Sequence, residues 1–385
     1  MKIGILTFNW AINYGAVLQL YALYSYLKNS DHDVYVLNYI PYELGKSYRP
    51  KILEKPLKIK SIAKKSLQKL IKHRQITKFD EFIAKNLNLT EEITKISDLD
   101  RLIQSFDLIV VGSDQVWNYD ITKNYLEAYL LNGINCNKIS YAASLGKKEI
   151  NNEARILFEE ALKDFDFISL REESSIECLK RIYDTDYKVC VDPIFLLNKD
   201  SWVNFARESN YSIYKKEYIL IYMLEYNSNL INVCKYLSKK YKLSVVSIEI
   251  PMLSTQRMFN MNNIKKLNNV GPRDFVKLFL GSKYILTNSF HGTAFSLIFE
   301  KPFISFAHSN VNLRIKNLLK LYGLEDDQIS CEVKDFNLIE NILSKTQDIY
   351  KIKNKKMNQL IEESKSYLNN AIISISKKVG LDHEK

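Results

Sequence analysis

One histidine lies in a short polar turn between two apolar segments, and this turn carries the strongest chemical signal in the sequence. Residues 284–303 read YILTNSFHGTAFSLIFEKPF, in which His291 and Gly292 separate an apolar run from a second run with helical spacing. The pattern predicts a buried strand that delivers His291 to its carboxyl end and a helix that Gly292 opens. An imidazole exchanges protons near neutral pH, and a helix start can bind an anion. The alternative is a structural histidine at a helix cap.

Polar residues also follow a second apolar run, Phe106–Val111. Asp114 and Gln115 come at the carboxyl end of this predicted strand and could bind sugar hydroxyls, while Trp117 could stack on a sugar face. Alternatively, Trp117 belongs to the core and Asp114 caps a helix. Gly112 favours binding, because a glycine lets the backbone approach a ligand closely.

Two arginines are candidate anion-binding groups, because a guanidinium can hold a carboxylate or phosphate with two hydrogen bonds. Arg171 follows the predicted strand Phe165–Leu170, and Arg314 lies at the start of a predicted helix over 312–322. Each has a structural alternative. Arg171 could cap a helix start beside Glu172, and Arg314 could be a solvated residue of a first helical turn.

The order of the apolar segments predicts an α/β protein. Strand-length runs alternate with helix-length patterns, which is typical of parallel sheets, and a second series begins near residue 217. A chain of 385 residues is also too long for one core. We therefore expect two doubly wound Rossmann-like domains, over 1–205 and 206–350, and a long helix over 351–385 that packs back. This plan resembles the GT-B arrangement of many glycosyltransferases, whose ligands bind in the cleft between the domains.

The positive charge of the chain is concentrated in one segment. Residues 46–78 contain twelve Lys or Arg and one Glu, which equals the whole formal charge of +11. Apolar residues at helical spacing within it predict a basic amphipathic helix. Three interpretations are open: a solvated helix on its own domain, a nucleic-acid site, or contact with an anionic membrane face. The absence of a nucleic-acid motif argues against the second.

Composition narrows the class of protein. With 46% hydrophobic and 26% charged residues, the chain reads as soluble and globular. Five scattered cysteines without metal-ligand spacing predict a reduced, intracellular compartment and no metal site. The sequence has neither a signal-peptide pattern nor an apolar stretch long enough to span a membrane. We expect a cytoplasmic protein, at most peripheral at the inner face of the plasma membrane.

Several short motifs together resemble the polysaccharide pyruvyl transferase family. They occur in family order over roughly the first 315 residues, and their order and spacing are more specific than any one of them. The matching pieces are NYGA at 13–16, GSDQVWN at 112–118, YAASLG at 141–146, RE at 171–172, DP at 192–193 and TNSFHG at 287–292.

The resemblance implies transfer of the enolpyruvyl unit of phosphoenolpyruvate onto a sugar. Two neighbouring hydroxyls end in a cyclic ketal and phosphate leaves, with no cofactor. Such chemistry needs a proton donor for the methylene carbon, fixed positive charge for the donor, and a route for the hydroxyl protons. The product class would be capsule, exopolysaccharide or cell-wall glycan.

The resemblance also assigns roles on the donor side, which we expect in the C-terminal domain. It implies that His291 is the acid and that Asn288, Ser289 and the N–H groups of Gly292 and Thr293 cradle the phosphate. Arg171 and Arg314 would be the cationic clamps, Arg314 because it aligns with a basic family position. Some family members carry an arginine where this chain has Ser289, so anion binding must depend more on other residues.

On the acceptor side, in the N-terminal domain, the resemblance implies sugar contacts. The candidates are Asn13, Tyr14, Gly15, Asp114, Gln115 and Trp117. The first turn lacks the GxGxxG pattern, so no dinucleotide site is expected there. The partners implied are phosphoenolpyruvate and a glycan, with a polyprenyl-diphosphate-linked acceptor suited to membrane contact through 46–78.

Two other functions remain open from the residues alone. A nucleotide-sugar glycosyltransferase could use the same architecture, but the sequence shows no carboxylate and aromatic pair for a nucleotide after the His291 turn. A sugar-binding protein without activity is the other, and Ser289 keeps it open. The sequence does not name the acceptor sugar, the hydroxyls bridged, the ketal stereochemistry or the oligomeric state.

Overall fold

The computed structural model describes residues 1–48, 62–147, 149–212, 217–249, 264–308, 312–330, 332–351 and 354–383. These residues form two compact units. The first contains the described residues of Met1–Lys51, Ile83–Leu197 and Asn358–Lys385, and the second contains those of Ile52–Phe82 and Asn198–Met357.

Strands and helices alternate along the described chain. The strands are β1 (Lys2–Leu6), β2 (Asp33–Val36), β3 (Leu108–Asp114), β4 (Lys138–Ala143), β5 (Phe167–Leu170), β6 (Tyr187–Val189), β7 (Tyr218–Tyr222), β8 (Ser244–Ile248), β9 (Ile264–Leu267), β10 (Tyr284–Thr287) and β11 (Phe303–Ser305). The helices are α1 (Tyr14–Lys28), α2 (Tyr42–Tyr48), α3 (Ile62–Asn86), α4 (Ile96–Ile103), α5 (Tyr119–Thr122), α6 (Leu126–Leu130), α7 (Asn152–Ala161), α8 (Glu173–Lys180), α9 (Lys199–Arg207), α10 (Ser228–Tyr241), α11 (Pro272–Gly281), α12 (Phe290–Ile298), α13 (Asn312–Lys320), α14 (Asn337–Asp348) and α15 (Lys355–His383).

The first unit is built on a six-stranded parallel sheet in the order β2-β1-β3-β4-β5-β6. Its central strands β1, β3 and β4 are mostly apolar and are buried along nearly their whole length, as expected for parallel strands covered on both faces. Val111 of β3 belongs to a core that includes Trp117 and Phe158 on the segments that follow. The carboxyl ends of these strands therefore present their loops at one edge.

The second unit has a five-stranded parallel sheet in the order β11-β10-β7-β8-β9. Thr287, the last residue of β10, pairs with Tyr222 of β7 on one side and with Ser305 of β11 on the other. Because all three strands end at this register, the segments that follow them emerge side by side. This edge carries the His291 turn.

The division between the units falls after Leu197 and not at the predicted position 205. The physical reason is aromatic packing: Trp202 of α9 makes edge contacts with Phe295 of α12, at a ring-centre distance of 5.1 Å. α9 therefore belongs to the core of the second unit. A sequence break at 207–210 follows this helix and does not mark the domain boundary.

The predicted basic helix lies partly outside the described residues, which omit 49–61. α3 begins at Ile62, and its residues up to Phe82 belong to the second unit, whereas the first domain predicted over 1–205 contained the whole of the basic segment 46–78. Lys78 near its end makes a 2.8 Å ion pair with Asp274 of α11. The long helix α15 packs on the first unit, where the Tyr367 hydroxyl donates to the Ser140 carbonyl at 2.9 Å.

Candidate active site

The turn after β10 places His291 in the first turn of α12. Ser289 is the N-cap of this helix, and its Oγ accepts a hydrogen bond from the Gly292 N–H at 3.3 Å. The helix therefore begins at Phe290, before the predicted start at Gly292, because the serine hydroxyl satisfies a backbone donor that would otherwise lack a partner. His291 is held at the carboxyl edge of the sheet by this cap.

Gly292 is required because α12 lies almost against the end of β10. A Cβ atom on Gly292 would lie 2.2 Å from Oγ1 of Thr287, far inside van der Waals contact. Thr287 cannot easily yield, because its Oγ1 donates to the Tyr222 carbonyl at 2.7 Å and accepts from the Ser289 N–H at 3.1 Å. The glycine thus sets the position of the turn that carries His291.

Most polar groups of the His291 turn already form hydrogen bonds within the protein. They include two N–H groups that we expected to bind the phosphate. The Thr293 N–H donates to the Ser289 carbonyl at 3.0 Å, and the Gly292 N–H is used by the cap. These two donors are therefore occupied by the helix itself. Asn288 accepts from the Leu224 N–H at 2.8 Å and donates to the Glu225 carbonyl at 2.7 Å. Asn288 and Ser289 shape the turn, and their contact with a donor stays a prediction.

The structure brings Arg314 to the same turn. The guanidinium carbon of Arg314, on α13, lies 5.8 Å from the centre of the Phe290 ring, and the His291 imidazole packs edge-on against that ring at 5.2 Å. His291 is 8% exposed. A permanent cation and an imidazole therefore contact one phenyl ring at the edge of the second sheet. This is the charge pattern that binding and protonating an anionic donor would need.

Sequence reasoning missed a second histidine at this edge. His308 comes shortly after β11, and its Nδ1 lies 3.3 Å from Oε2 of Glu225, which follows β7. The available signal was a histidine directly after the apolar run FISFA at 303–307, in a chain with only five histidines. Its carboxylate partner was not visible, because the two residues are far apart in sequence.

In the first unit, the turn after β1 is shaped by Asn13. Its side-chain oxygen accepts from the Gly15 N–H at 2.8 Å and from the Ala16 N–H at 3.3 Å, which caps α1. Asn13 is exposed, whereas Tyr14 is buried at 2% exposure. The exposed cap is the part of this motif that can face a ligand.

Of the three sugar contacts predicted here, Asp114 and Gln115 lie at the end of β3, whereas Trp117 is buried in the core. Asp114 has a positive φ of 77°, and Gln115 accepts from the Asn118 amide at 2.9 Å. Trp117 is 1% exposed, packs edge-on against Phe158 at 5.8 Å, and donates its indole N–H to the Tyr129 carbonyl. The predicted stacking of Trp117 on a sugar is therefore wrong, because its ring faces are enclosed in the core.

The need for glycine at position 112 comes from the neighbouring strand and not from a ligand. Its φ is +116°, and a Cβ atom would lie 2.4 Å from the carbonyl oxygen of Tyr141 on β4. The peptide bond between Gly112 and Ser113 is cis. The close approach that we expected does occur, but the approaching group is a strand of the same sheet.

Arg171 is at the predicted strand end, but it is buried in a network of its own unit. Its guanidinium lies 3.1 Å from Asp192 and 3.9 Å from Asp114, and it donates to the Ser113 hydroxyl at 2.5 Å. Burial alone would lower the pKa of Arg171, but Asp192, Asp114 and Glu172 outweigh it and raise that pKa above its ordinary value. The charge of Arg171 is thus balanced by carboxylates, and its contact with a donor stays a prediction.

The part of the chain that the structure describes contains neither a cluster of metal ligands nor a helix that could span a membrane. In the described ranges, no three His, Cys, Asp or Glu side chains lie together as metal ligands would. Across the same part of the chain, every helix is too short or too polar to traverse a lipid bilayer.

Solved structures show what fold these two sheets define. UDP-GlcNAc 2-epimerase from Neisseria meningitidis aligns with a TM-score of 0.54 at 14% identity, over 96% of this chain and 100% of that one. UDP-N-acetylglucosamine 2-epimerase from Rickettsia bellii aligns with a TM-score of 0.53 at 14% identity, over 98% and 97%. At such identities the likeness concerns the fold alone. The predicted class is confirmed: an α/β protein with two Rossmann-like units, of the GT-B-like type.

The sequence itself defines the family. The polysaccharide pyruvyl transferase model matches residues 13–310, which include the Asn13 cap of α1, the β3 end, Arg171 and the His291 turn. The chain belongs to the polysaccharide pyruvyl transferase family, as its motifs predicted. No curated protein sequence gives a significant match.

Proposed function

We propose that the protein transfers the pyruvyl group of phosphoenolpyruvate to a sugar diol, with His291 as the proton donor. The family implies a pyruvyl transferase acting in polysaccharide synthesis, and the donor and the residue roles are our proposal. The observation that supports it is the position of His291. It lies in the first turn of α12, directly after β10 of a parallel sheet, and it packs against the Phe290 ring that the guanidinium of Arg314 also approaches.

The reaction balances as follows. The methylene carbon of the donor gains a proton and becomes a methyl group, which makes the neighbouring carbon oxocarbenium-like. Two sugar oxygens form bonds to that carbon, and the carbon–oxygen bond to phosphate breaks with its electron pair leaving on phosphate. Of the two hydroxyl protons lost by the diol, one replaces the proton given to the methyl group and the other goes to phosphate.

The other candidate residues enter this proposal with the roles that their positions allow. Arg314 supplies positive charge for the donor carboxylate or phosphate near His291. Asn288 and Ser289 hold the turn in place and are proposed to face the donor. Arg171 stays a proposed anion contact, although Asp192 already balances its charge.

The proposal extends to the acceptor candidates of the first unit. Asn13 with Tyr14 and Gly15 at the β1 turn, and Asp114 with Gln115 after β3, are proposed to contact the sugar. Asn13 is the strongest of them because its side chain is exposed at the N-terminus of α1. A polyprenyl-diphosphate-linked acceptor and contact with an anionic membrane through residues 46–78 are part of the same proposal.

Phosphate release tests the proposed function. We would incubate the protein with phosphoenolpyruvate and with polysaccharide from the producing cells that mild acid has freed of ketals, and would follow phosphate and the ketal methyl signal by NMR. His291→Asn should lower the rate about 100-fold or more, because general acid catalysis contributes factors of this order. His32→Asn, the same substitution in the first unit, should leave the rate unchanged.

Melting temperatures measured with each ligand, together with phosphate release, distinguish the alternative functions. Phosphoenolpyruvate should raise the melting temperature, whereas nucleotide sugars should not. Stabilisation by nucleotide sugars alone would favour a glycosyltransferase. Sugar binding with no phosphate release would favour a protein without activity. Full activity of His291→Asn with an intact fold would remove this residue from the acid role.

A further inference from the structure

One cation and two carboxylates form a cluster at the carboxyl edge of the first sheet. The Arg171 guanidinium lies 3.1 Å from Asp192 and 3.9 Å from Asp114. The side chains of Arg171 and Asp192 are 4% and 0% exposed, whereas the side chain of Asp114 keeps 13% exposure. When ionised, the three groups carry one positive and two negative charges. The cluster therefore favours a neutral polar ligand, such as a sugar hydroxyl, over a further anion.

The Asp114 carboxylate is fixed through one oxygen and open at the other. Its Oδ1 accepts from the Gln115 N–H at 2.9 Å and is the oxygen nearest to Arg171. Among the described residues, Oδ2 takes part in no hydrogen bond or ion pair. The backbone of Asp114 has a φ of 77°, which few residues other than glycine, asparagine and aspartate adopt, and its carbonyl accepts from the Ser144 N–H at 3.0 Å. The backbone and one oxygen thus hold Oδ2 in place.

The next residue, Gln115, supplies a hydrogen-bond donor. Its Oε1 accepts from the Asn118 amide at 2.9 Å, so its Nε2 carries the remaining donors, which have no partner within the described part of the chain. A Cβ atom at Gly146 would lie 2.1 Å from this Oε1, so the glycine leaves the space that the amide pair occupies. The end of β3 therefore offers one acceptor and one donor. A hydroxyl group, which donates and accepts, can use both.

The proposed reaction needs a proton acceptor for the sugar. Each hydroxyl of the diol loses its proton when its oxygen bonds to the donor carbon. Among the six acceptor candidates, Asp114 has the only carboxylate, and the tyrosine, asparagine, glutamine and tryptophan side chains are not bases near neutral pH. A base oriented by a neighbouring group, with its accepting atom open, is the arrangement that proton transfer requires.

We infer that Asp114 is the general base of the acceptor site: its Oδ2 takes the proton of the attacking sugar hydroxyl as the hydroxyl oxygen bonds to the donor carbon. Asp114 then releases this proton to water, and the departing phosphate gains one, so the proton balance given above is unchanged. The inference rests on the proposed function and deepens it, because a sugar contact becomes a catalytic residue. Arg171 is a positioning residue in this assignment, since it acts through the Asp114 carboxylate.

The first test is steady-state kinetics with phosphoenolpyruvate and the ketal-free polysaccharide. Asp114→Asn keeps the shape and an accepting oxygen and tolerates the positive φ, but it cannot take a proton. It should lower kcat about 100-fold, because general base catalysis contributes factors of this order, with little change in the KM for polysaccharide. Asp31→Asn is the matched control, since Asp31 is exposed and also has a positive φ, of 60°; it should keep the rate. A raised KM with an unchanged kcat would make Asp114 a binding residue only and overturn the base role.

The second test is rescue by an external carboxylate. Asp114→Gly adopts the same φ without strain and leaves the place of the carboxylate empty. Sodium formate should raise the rate of this variant about 10-fold or more, because formate can take the proton instead. Asp114→Asn should not respond, because its amide fills the space. A rate that formate raises no more than sodium chloride does would count against the base role.

The third test separates positioning by Arg171 from the direct donor contact proposed above. Arg171→Lys keeps the charge but loses the planar fork that reaches Ser113 and Asp192. Positioning predicts a kcat lowered about 10-fold with an unchanged KM for phosphoenolpyruvate, in a variant whose melting temperature is measured alongside. A raised KM for phosphoenolpyruvate with an unchanged kcat would overturn the positioning role.

These results distinguish failure of the base role from failure of the proposed function. If the wild-type protein releases no phosphate and forms no ketal, pyruvyl transfer from phosphoenolpyruvate is overturned, and the role of Asp114 with it. If the wild type is active and His291→Asn is not, but Asp114→Asn keeps the full rate, only the inference about Asp114 is overturned.

Discussion

At the residue scale, the position of His291 depends on how closely α12 approaches β10. Gly292 is the contact point, since a Cβ atom there would lie 2.2 Å from Thr287 Oγ1. Thr287 is fixed by its hydrogen bonds to the Tyr222 carbonyl and the Ser289 N–H. A larger residue at 292 must therefore move the first helical turn, and His291 moves with it.

We predict that Gly292→Ala destabilises the protein by about 1–3 kcal/mol, the usual cost of forcing an extra methyl group into a packed site. Urea unfolding followed by fluorescence would measure this, and ketal formation should fall because His291 is displaced. Gly380→Ala is the matched control: that glycine lies within α15 with no atom within 4 Å of the added Cβ. It should be neutral or gain up to about 1 kcal/mol from helix propensity. Equal stabilities of the two variants would contradict the packing argument.

Sequence reasoning singled out His291 and Asn13 because each is a polar residue near an apolar run, and it singled out Arg314 because it aligns with a basic family position; their roles stay predictions. It could not separate contact with a ligand from contact with the protein. Trp117 and Gly112 both occur in a family motif, yet one fills the core and the other accommodates a neighbouring strand. Only the fold shows which atoms lie opposite them.

At the scale of elements, α15 is joined to the first sheet by polar contacts in addition to its apolar face. Ser364 is fully buried, and its Oγ accepts from the Val191 N–H at 3.0 Å while it donates to the Leu360 carbonyl. Val191 lies just beyond β6, at the edge of the sheet. The helix thus satisfies a buried backbone donor that the sheet does not.

We predict that Ser364→Ala lowers the free energy of unfolding by about 1–3 kcal/mol, because it leaves the Val191 N–H buried without an acceptor. Hydrogen exchange at the Val191 amide should accelerate in this variant. Ser374→Ala, on an exposed position of the same helix, should change stability by less than about 0.5 kcal/mol. Unchanged exchange at Val191 would show that the serine does not anchor the helix.

At the scale of the whole molecule, the charge distribution is uneven. The full surplus of +11 lies within residues 46–78, and the remainder balances to zero. Lysines 58, 60, 64 and 65 have side chains outside those that the structure describes, so their role rests on charge alone. Each basic residue near an anionic membrane contributes about 1 kcal/mol of attraction, which salt weakens.

We predict that the protein sediments with vesicles containing anionic lipid at low salt, and that replacing Lys58, Lys60, Lys64 and Lys65 by Gln abolishes this. Replacing four lysines of α15 by Gln, at positions 355, 356, 377 and 378, removes the same charge elsewhere and should have little effect on sedimentation with vesicles. If both quadruple variants lose binding equally, net charge and not the segment is responsible. Undiminished sedimentation of the first variant would contradict membrane contact through this segment.

The sequence by itself determined the α/β class, the two series of strands and the polar turn that holds His291, because hydrophobic periodicity and turn residues are local properties. Tertiary structure alone decided that α9 packs with the second unit, that acidic neighbours balance Arg171, and that His308 meets Glu225 across the end of β10. These outcomes depend on strand order and on contacts between residues distant in the chain, which no local pattern encodes.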